Sequence, residues 1–189
     1  MFHRPRAGDC TWCGARGPFP PRDHVFPRSL GGALRLAVPS CSHCDGKIRR
    51  LEHPSDTLRL VSKVALGAAA CILGPDSLRT PSLDGIRAFI RDGAISGDSP
   101  PARQIPPGKE LAAFPDHHLA IVKRCHGLAR VVVFLSGYCY EVSLGPIHGD
   151  DLTGAAVSRR DGRATLLIPP TESGELLRVV WNAISANQD

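Results

Sequence analysis

Four of the seven cysteines fall in two CxxC pairs, Cys10-Thr-Trp-Cys13 and Cys41-Ser-His-Cys44, separated by 27 residues. A two-residue spacer lets both thiolates of a pair bind one ion, and two pairs complete a tetrahedral shell. Four sulfur ligands leave no open coordination position, which describes a structural Zn²⁺ rather than a catalytic one. A redox CxxC would not need its duplicate, and nothing upstream of CTWC reads as a thioredoxin strand. Residues 1–53 are rich in Gly, Pro and Arg and poor in periodic apolar residues. So small a unit buries too little apolar surface to fold by hydrophobicity alone, and a staple is expected.

The charge lies in the same segment. Residues 1–54 hold nine Lys/Arg against four Asp/Glu, whereas the remainder holds 14 of each, so all of the +5 excess sits around the cysteines. That is the footprint of a module facing phosphates, and the alternative is an ordinary solvated basic surface. No apolar run approaches the ~20 residues that span a bilayer, so no membrane partner is expected. The start, MFHRPRAGDC, has no apolar stretch of the signal-peptide kind. Seven cysteines without an export signal point to reduced thiols and a cytoplasmic location.

Downstream the texture changes, and the chain reads as α+β. Ser55 or Asp56 can cap a helix running to about Leu73, with Leu58, Val61, Ala65, Ala68 and Ile72 at helical spacing. Ser82 opens a shorter helix bearing Ile86, Phe89 and Ile90, and together these form a helical segment over 54–93. Residues 94–115 contain Pro100-Pro101 and Pro106-Pro107 and read as a linker or long loop. Over 116–189, HLAIVK, ARVVVFLS, YCYEVSL and RATLLIPP read as strands of a small antiparallel sheet, with a turn at Ser136-Gly137 and a helix from about Thr171 to Asn187. Cys71, Cys125 and Cys139 stand in apolar contexts and read as core thiols. His117, His118 and His126 read as strand or turn residues, since no second cluster has ligand spacing.

Between the cysteine pairs stands Asp23-His24-Val25-Phe26-Pro27, then Gly31-Gly32, and the second pair continues as Cys44-Asp45-xx-Ile48. These landmarks, over about residues 10–50, resemble the HNH endonucleases of the ββα-metal (His-Me finger) superfamily, in particular its zinc-stapled members. The resemblance implies a small ββα-metal finger over 1–53 and a metal-dependent hydrolysis of DNA phosphodiesters that leaves a 5′ phosphate. It assigns His24 as general base and Asp23 and Asp45 as ligands of a catalytic Mg²⁺ or Mn²⁺. A histidine titrates near neutrality and suits the base role, and carboxylates suit such hard cations. Lys47, Arg49, Arg50, Arg28 and Arg22 are the expected DNA-backbone contacts. RNA ranks behind DNA as substrate. Two positions depart from the family pattern. ALRLAVPS, around Leu36, lacks the family's middle Asn, and Asp45 stands where the family carries Asn or His. The alternative reading is a catalytically silent zinc-folded module that binds DNA or a protein.

Overall fold

The stretch from Thr57 to Leu73 holds no proline and is dominated by Ala, Leu and Val, residues that lose little in a helix or pack well around one. In a computed structural model of the chain it forms the central helix. The structure describes residues 8–20, 24–30, 39–51, 57–74, 77, 80–92, 102–112, 116–159 and 165–171. Its helices are α1 (Ser42–Leu51), α2 (Thr57–Leu73), α3 (Asp84–Asp92) and the short α4 (Lys109–Ala112), with 3₁₀ turns at Arg28–Leu30 and Pro81–Leu83. Its strands are β1 (Ala102–Ile105), β2 (His117–Cys125), β3 (Leu128–Leu135), β4 (Tyr138–Pro146), β5 (Leu152–Arg159) and β6 (Thr165–Thr171). The class is α+β, as the sequence implies.

All strand pairs are antiparallel, in the order β1-β4-β3-β2-β5-β6. β2, β3 and β4 form a meander, and β5 returns beside β2, which gives the Greek-key order β5-β2-β3-β4. The connection from β4 to β5 therefore passes over the tip of the β2–β3 hairpin. Leu128 pairs with Pro146 at the end of β4, and Arg124 pairs with Leu152 at the start of β5. The expected turn at Ser136-Gly137 is present, with both residues at positive φ, as a two-residue hairpin requires.

Three features depart from the sequence reading. The expected linker contains β1, whose Ala102–Ile105 pair with Cys139–Val142 of β4, and also α4. Four residues between proline pairs carry no strand periodicity, and only the exposed edge of β4 defines them. LTGAAVSR was not read as a strand, yet it forms β5, and six of its eight residues are buried. Its small side chains give no alternation to read, because both faces of the sheet are covered. β6 runs through Pro169 and Pro170 to Thr171 rather than stopping at them; it is an edge strand, where a missing N–H is tolerated. The helix expected from about Thr171 to Asn187 lies outside the described residues beyond Thr171.

α2 is buried around its whole circumference from Leu60 to Ala70, including Ser62 and Lys63. One sequence stripe was expected; the helix is instead a core element with the sheet on one side and α3 on another. A continuous core joins Val61, Val64 and Ala68 of α2 to Val122, Val131, Val133 and Val142 of the sheet. The same core includes Cys10, Trp12, Val25, Phe26, Cys44 and Ile48. The opposite sheet face carries a second, smaller core of Leu119, Phe134, Cys139, Val157 and Ile168, with Leu111 of α4. The cysteine segment is thus packed on the body of the protein. Phe26 stacks on His118 of β2 at 6.4 Å, and the Ser158 hydroxyl of β5 donates to the Leu30 carbonyl at 3.3 Å.

Candidate functional site

The first cysteine pair lies on a tight knuckle and the second opens α1. The Gly14 amide donates to the Cys10 carbonyl and the Cys10 amide to the Ala15 carbonyl, both at 2.9 Å. The Thr11 amide reaches the Pro39 carbonyl at 3.0 Å, which draws the knuckle against the residues that precede Cys41. The sulfurs of Cys10, Cys13, Cys41 and Cys44 all lie within 4.8 Å of one another, and Cys13 Sγ is 3.8 Å from Cys41 Sγ. The Cys41 amide points at Cys10 Sγ and the Cys44 amide at Cys41 Sγ, each at 3.4 Å. Such N–H donors favour the thiolate form, the form that binds metal. All seven cysteines carry free thiols.

The thiols divide in their readiness to ionise. Burial opposes ionisation of Cys41, but hydrogen bonds from Cys44 and the neighbouring thiols outweigh it and hold Cys41 below the usual thiol range. Burial pushes Cys13 and Cys44 up, and adjacent thiols add to the shift. Cys41 is thus more ready to ionise than Cys13 and Cys44, whose protons a bound cation would have to displace. Four sulfurs at this separation fit a metal ion such as zinc, with the closed shell of a structural site.

α1 carries the next group of candidates. Asp45 follows the last cysteine in the first turn of α1, where a carboxylate complements the helix dipole. It is 8% exposed, and Arg49 Nη2 lies 3.1 Å from its Oδ2. Lys47 stands 4.0 Å from Asp92 of α3, and Arg50 Nε donates to the Gly46 carbonyl at 3.3 Å. Arg28 is exposed on the 3₁₀ turn. His24 is half-buried at an isolated bridge residue, as is Pro39, and Val25 and Phe26 after it are fully buried. Asp23, Arg22, Gly31, Gly32 and Leu36 lie outside the described residues, as does the rest of 31–38 between His24 and Cys41.

Between the first knuckle and α3 lies a cleft of about 480 Å³, lined by Trp12, Cys13, Asp84, Arg87 and Arg91 among others. Arg87 is paired with Asp84 and Arg91 with Asp92. The Asp92 carboxylate holds the Arg91 proton more firmly. A fixed cation thus stands beside the cysteine cluster.

No family model, curated protein or solved structure matches this chain. The functional reading therefore rests on the residues themselves. No helix among the described residues is long and apolar enough to cross a membrane.

One group escaped the sequence reading. Cys125, expected as a core thiol, and His126, expected as a plain turn residue, bring their ligand atoms within 4.8 Å of each other and of Asp151. Cys125 is only partly buried. The Cys-His dipeptide was visible, but its partner is 25 residues further along, and only the Greek-key crossover brings it near.

Proposed function

We propose that this chain is a zinc-stapled, metal-dependent endonuclease of the HNH type that hydrolyses phosphodiester bonds in DNA. The observation that carries the reading is the meeting of the two CxxC pairs at one point. The segment with His24 is thereby closed into a loop, at whose base α1 presents Asp45. In this reading zinc has no chemical role: it fixes the chain entering the loop against the helix leaving it. His24 takes a proton from the attacking water, the general-base role most often filled by histidine. A Mg²⁺ or Mn²⁺ ion held by Asp23 and Asp45 supplies charge neutralisation at the phosphate when bound. Asp45 offers a hard oxygen for it, though Arg49 occupies one side of that carboxylate. The exposed side chains of Arg28, Arg49 and Arg50 suit contacts to the phosphate backbone, which give salt-dependent affinity rather than sequence readout.

The ion pair between Asp45 and Arg49 also favours a second reading. A carboxylate that is mostly buried and neutralised by its own helix is a structural group, as in a zinc-folded DNA-binding module without activity. Nicking of supercoiled plasmid with Mg²⁺ or Mn²⁺ separates the two. Wild type is expected to nick and His24→Ala to lose at least 100-fold in rate while keeping its zinc, the scale of general-base catalysis. Equal inactivity of both proteins, with DNA binding intact, overturns the nuclease reading in favour of the silent module.

A further inference from the structure

We propose that Cys125, His126 and Asp151 form a second metal site, specific for a divalent transition ion of the zinc class, which pins the tip of the β2–β3 hairpin to the β4–β5 crossover. It lies at the end of the sheet and is independent of the endonuclease reading.

The hairpin tip is the two-residue turn His126-Gly127, with φ of 51° and 72°. Two successive positive φ values define the turn type in which Asn-Gly is the preferred pair. Positive φ is uncommon for residues other than glycine, and histidine is among the types that tolerate it best. Asn would fill the position at less cost and offer no imidazole. The crossover is fastened over this turn from several directions. The Ile147 amide donates to the Gly127 carbonyl at 2.9 Å, and Arg124 Nε donates to the Asp150 carbonyl at 2.7 Å. Arg124 Nη1 reaches the His148 carbonyl at 3.4 Å, and this guanidinium packs directly over Gly149. These hydrogen bonds bring Asp151 beside the turn.

Its carboxylate meets both neighbours. Oδ1 accepts the His126 amide at 2.8 Å, and Oδ2 accepts from Cys125 Sγ at 3.5 Å. Sulfur, imidazole nitrogen and carboxylate oxygen bind zinc at about 2.0–2.3 Å, which in a tetrahedron separates ligand atoms by about 3.3–3.8 Å. The sulfur–oxygen pair already stands at that distance, and the whole triad spans no more than 4.8 Å. A cation replacing the thiol proton needs only side-chain adjustment. The sulfur and imidazole of this donor set select zinc-class ions over Mg²⁺ or Ca²⁺. His126 and Asp151 are exposed, so the fourth position is open to water. The His148 imidazole lies close by, with Nδ1 3.7 Å from where a Cβ on Gly127 would sit.

The test is calorimetric titration of Zn²⁺ into full-length protein whose four-cysteine site has first been filled. Wild type is expected to bind one further equivalent. His126→Asn keeps the turn in its preferred residue, and Asp151→Asn keeps an oxygen for the His126 amide, so both variants are expected to fold. Each is expected to lose the second binding event or weaken it at least 10-fold. With Co²⁺ in place of Zn²⁺, Cys125→Ser is expected to remove the sulfur-to-cobalt absorption of the second equivalent alone. No second event in wild type, or a second event equally strong in His126→Asn and Asp151→Asn, overturns the proposal.

Discussion

Around the four cysteines, the described residues 8–51 give the core few large apolar side chains, chiefly Trp12, Val25, Phe26 and Ile48. From α2 to β5, by contrast, the chain buries two layers of Val, Leu, Ile and Ala on both faces of one sheet. The two regions share one continuous core, yet different chemistry holds them. The sheet and α2 exclude water over a large apolar area, a force spread over many residues. The cysteine segment depends on one point where four sulfurs meet. Order in the sheet region is therefore expected to degrade gradually under mutation, and order in the cysteine segment to depend on whether the four sulfurs hold a metal ion.

The largest effect is expected from the clamp. Structural zinc contributes about 10–16 kcal/mol of binding in small zinc-folded units. Cys41→Ser is therefore expected to abolish stoichiometric zinc and disorder the segment around the knuckle, as read by metal analysis and by fluorescence of Trp12, which is 4% exposed. If the variant keeps both zinc and the buried indole, the clamp is not what holds this region. The same site carries a pH signature. Cys13 and Cys44 have raised pKa values, so the metal-free cluster retains their protons at neutral pH. Zinc must displace them, and its apparent affinity falls with falling pH by about 10-fold per unit for each proton displaced. Affinity flat between pH 6 and 8 would contradict the assigned thiol states.

A smaller, contrasting effect is expected in the sheet region. Leu66 of α2 is 1% exposed, and truncation of such a core leucine costs about 2–5 kcal/mol. Leu66→Ala should lower the unfolding free energy by that amount, read from denaturant titration, while leaving zinc content at the wild-type value. Concurrent loss of zinc would mean that the shared core, rather than the thiols, positions the cysteines. The smallest effect belongs to Arg49, whose side chain is 70% exposed. Its pairing with Asp45 within one helix is worth about 0.2–1 kcal/mol, so Arg49→Ala should barely move stability. A loss above 2 kcal/mol would show that Asp45 is a structural anchor, which favours the silent module over the nuclease.

The legibility of the sequence follows the same division. The thiol cluster was readable because its ligands come in local pairs, whose spacing alone restricts them to one ion. α2, α3 and strands β2 to β4 were readable because burial on a regular face or in a β-branched run leaves a periodic trace. β5 was not, since Gly154, Ala155 and Ala156 are chosen for close packing and carry no β-branched signal. β1 was hidden for a different reason: Ala102–Ile105 become a strand only because β4 offers an edge. The triad of Cys125, His126 and Asp151 was invisible because a Greek-key crossover, not sequence proximity, assembles it. His24 and Asp45 stood out as motif residues, but the engagement of Asp45 by Arg49 belongs to the folded helix.

The contrast between clamp and sheet is tested most directly by amide hydrogen exchange of the full chain with zinc bound and after chelation. Amides of Thr11, Gly14, Cys41, Cys44 and Asp45, each hydrogen-bonded at the knuckle or the start of α1, are expected to lose protection on chelation. Those of β2, β3 and β5 are expected to keep it. Unchanged protection around the cysteines, or equal loss across the sheet, would contradict the assignment of zinc as the local organiser of the cysteine segment.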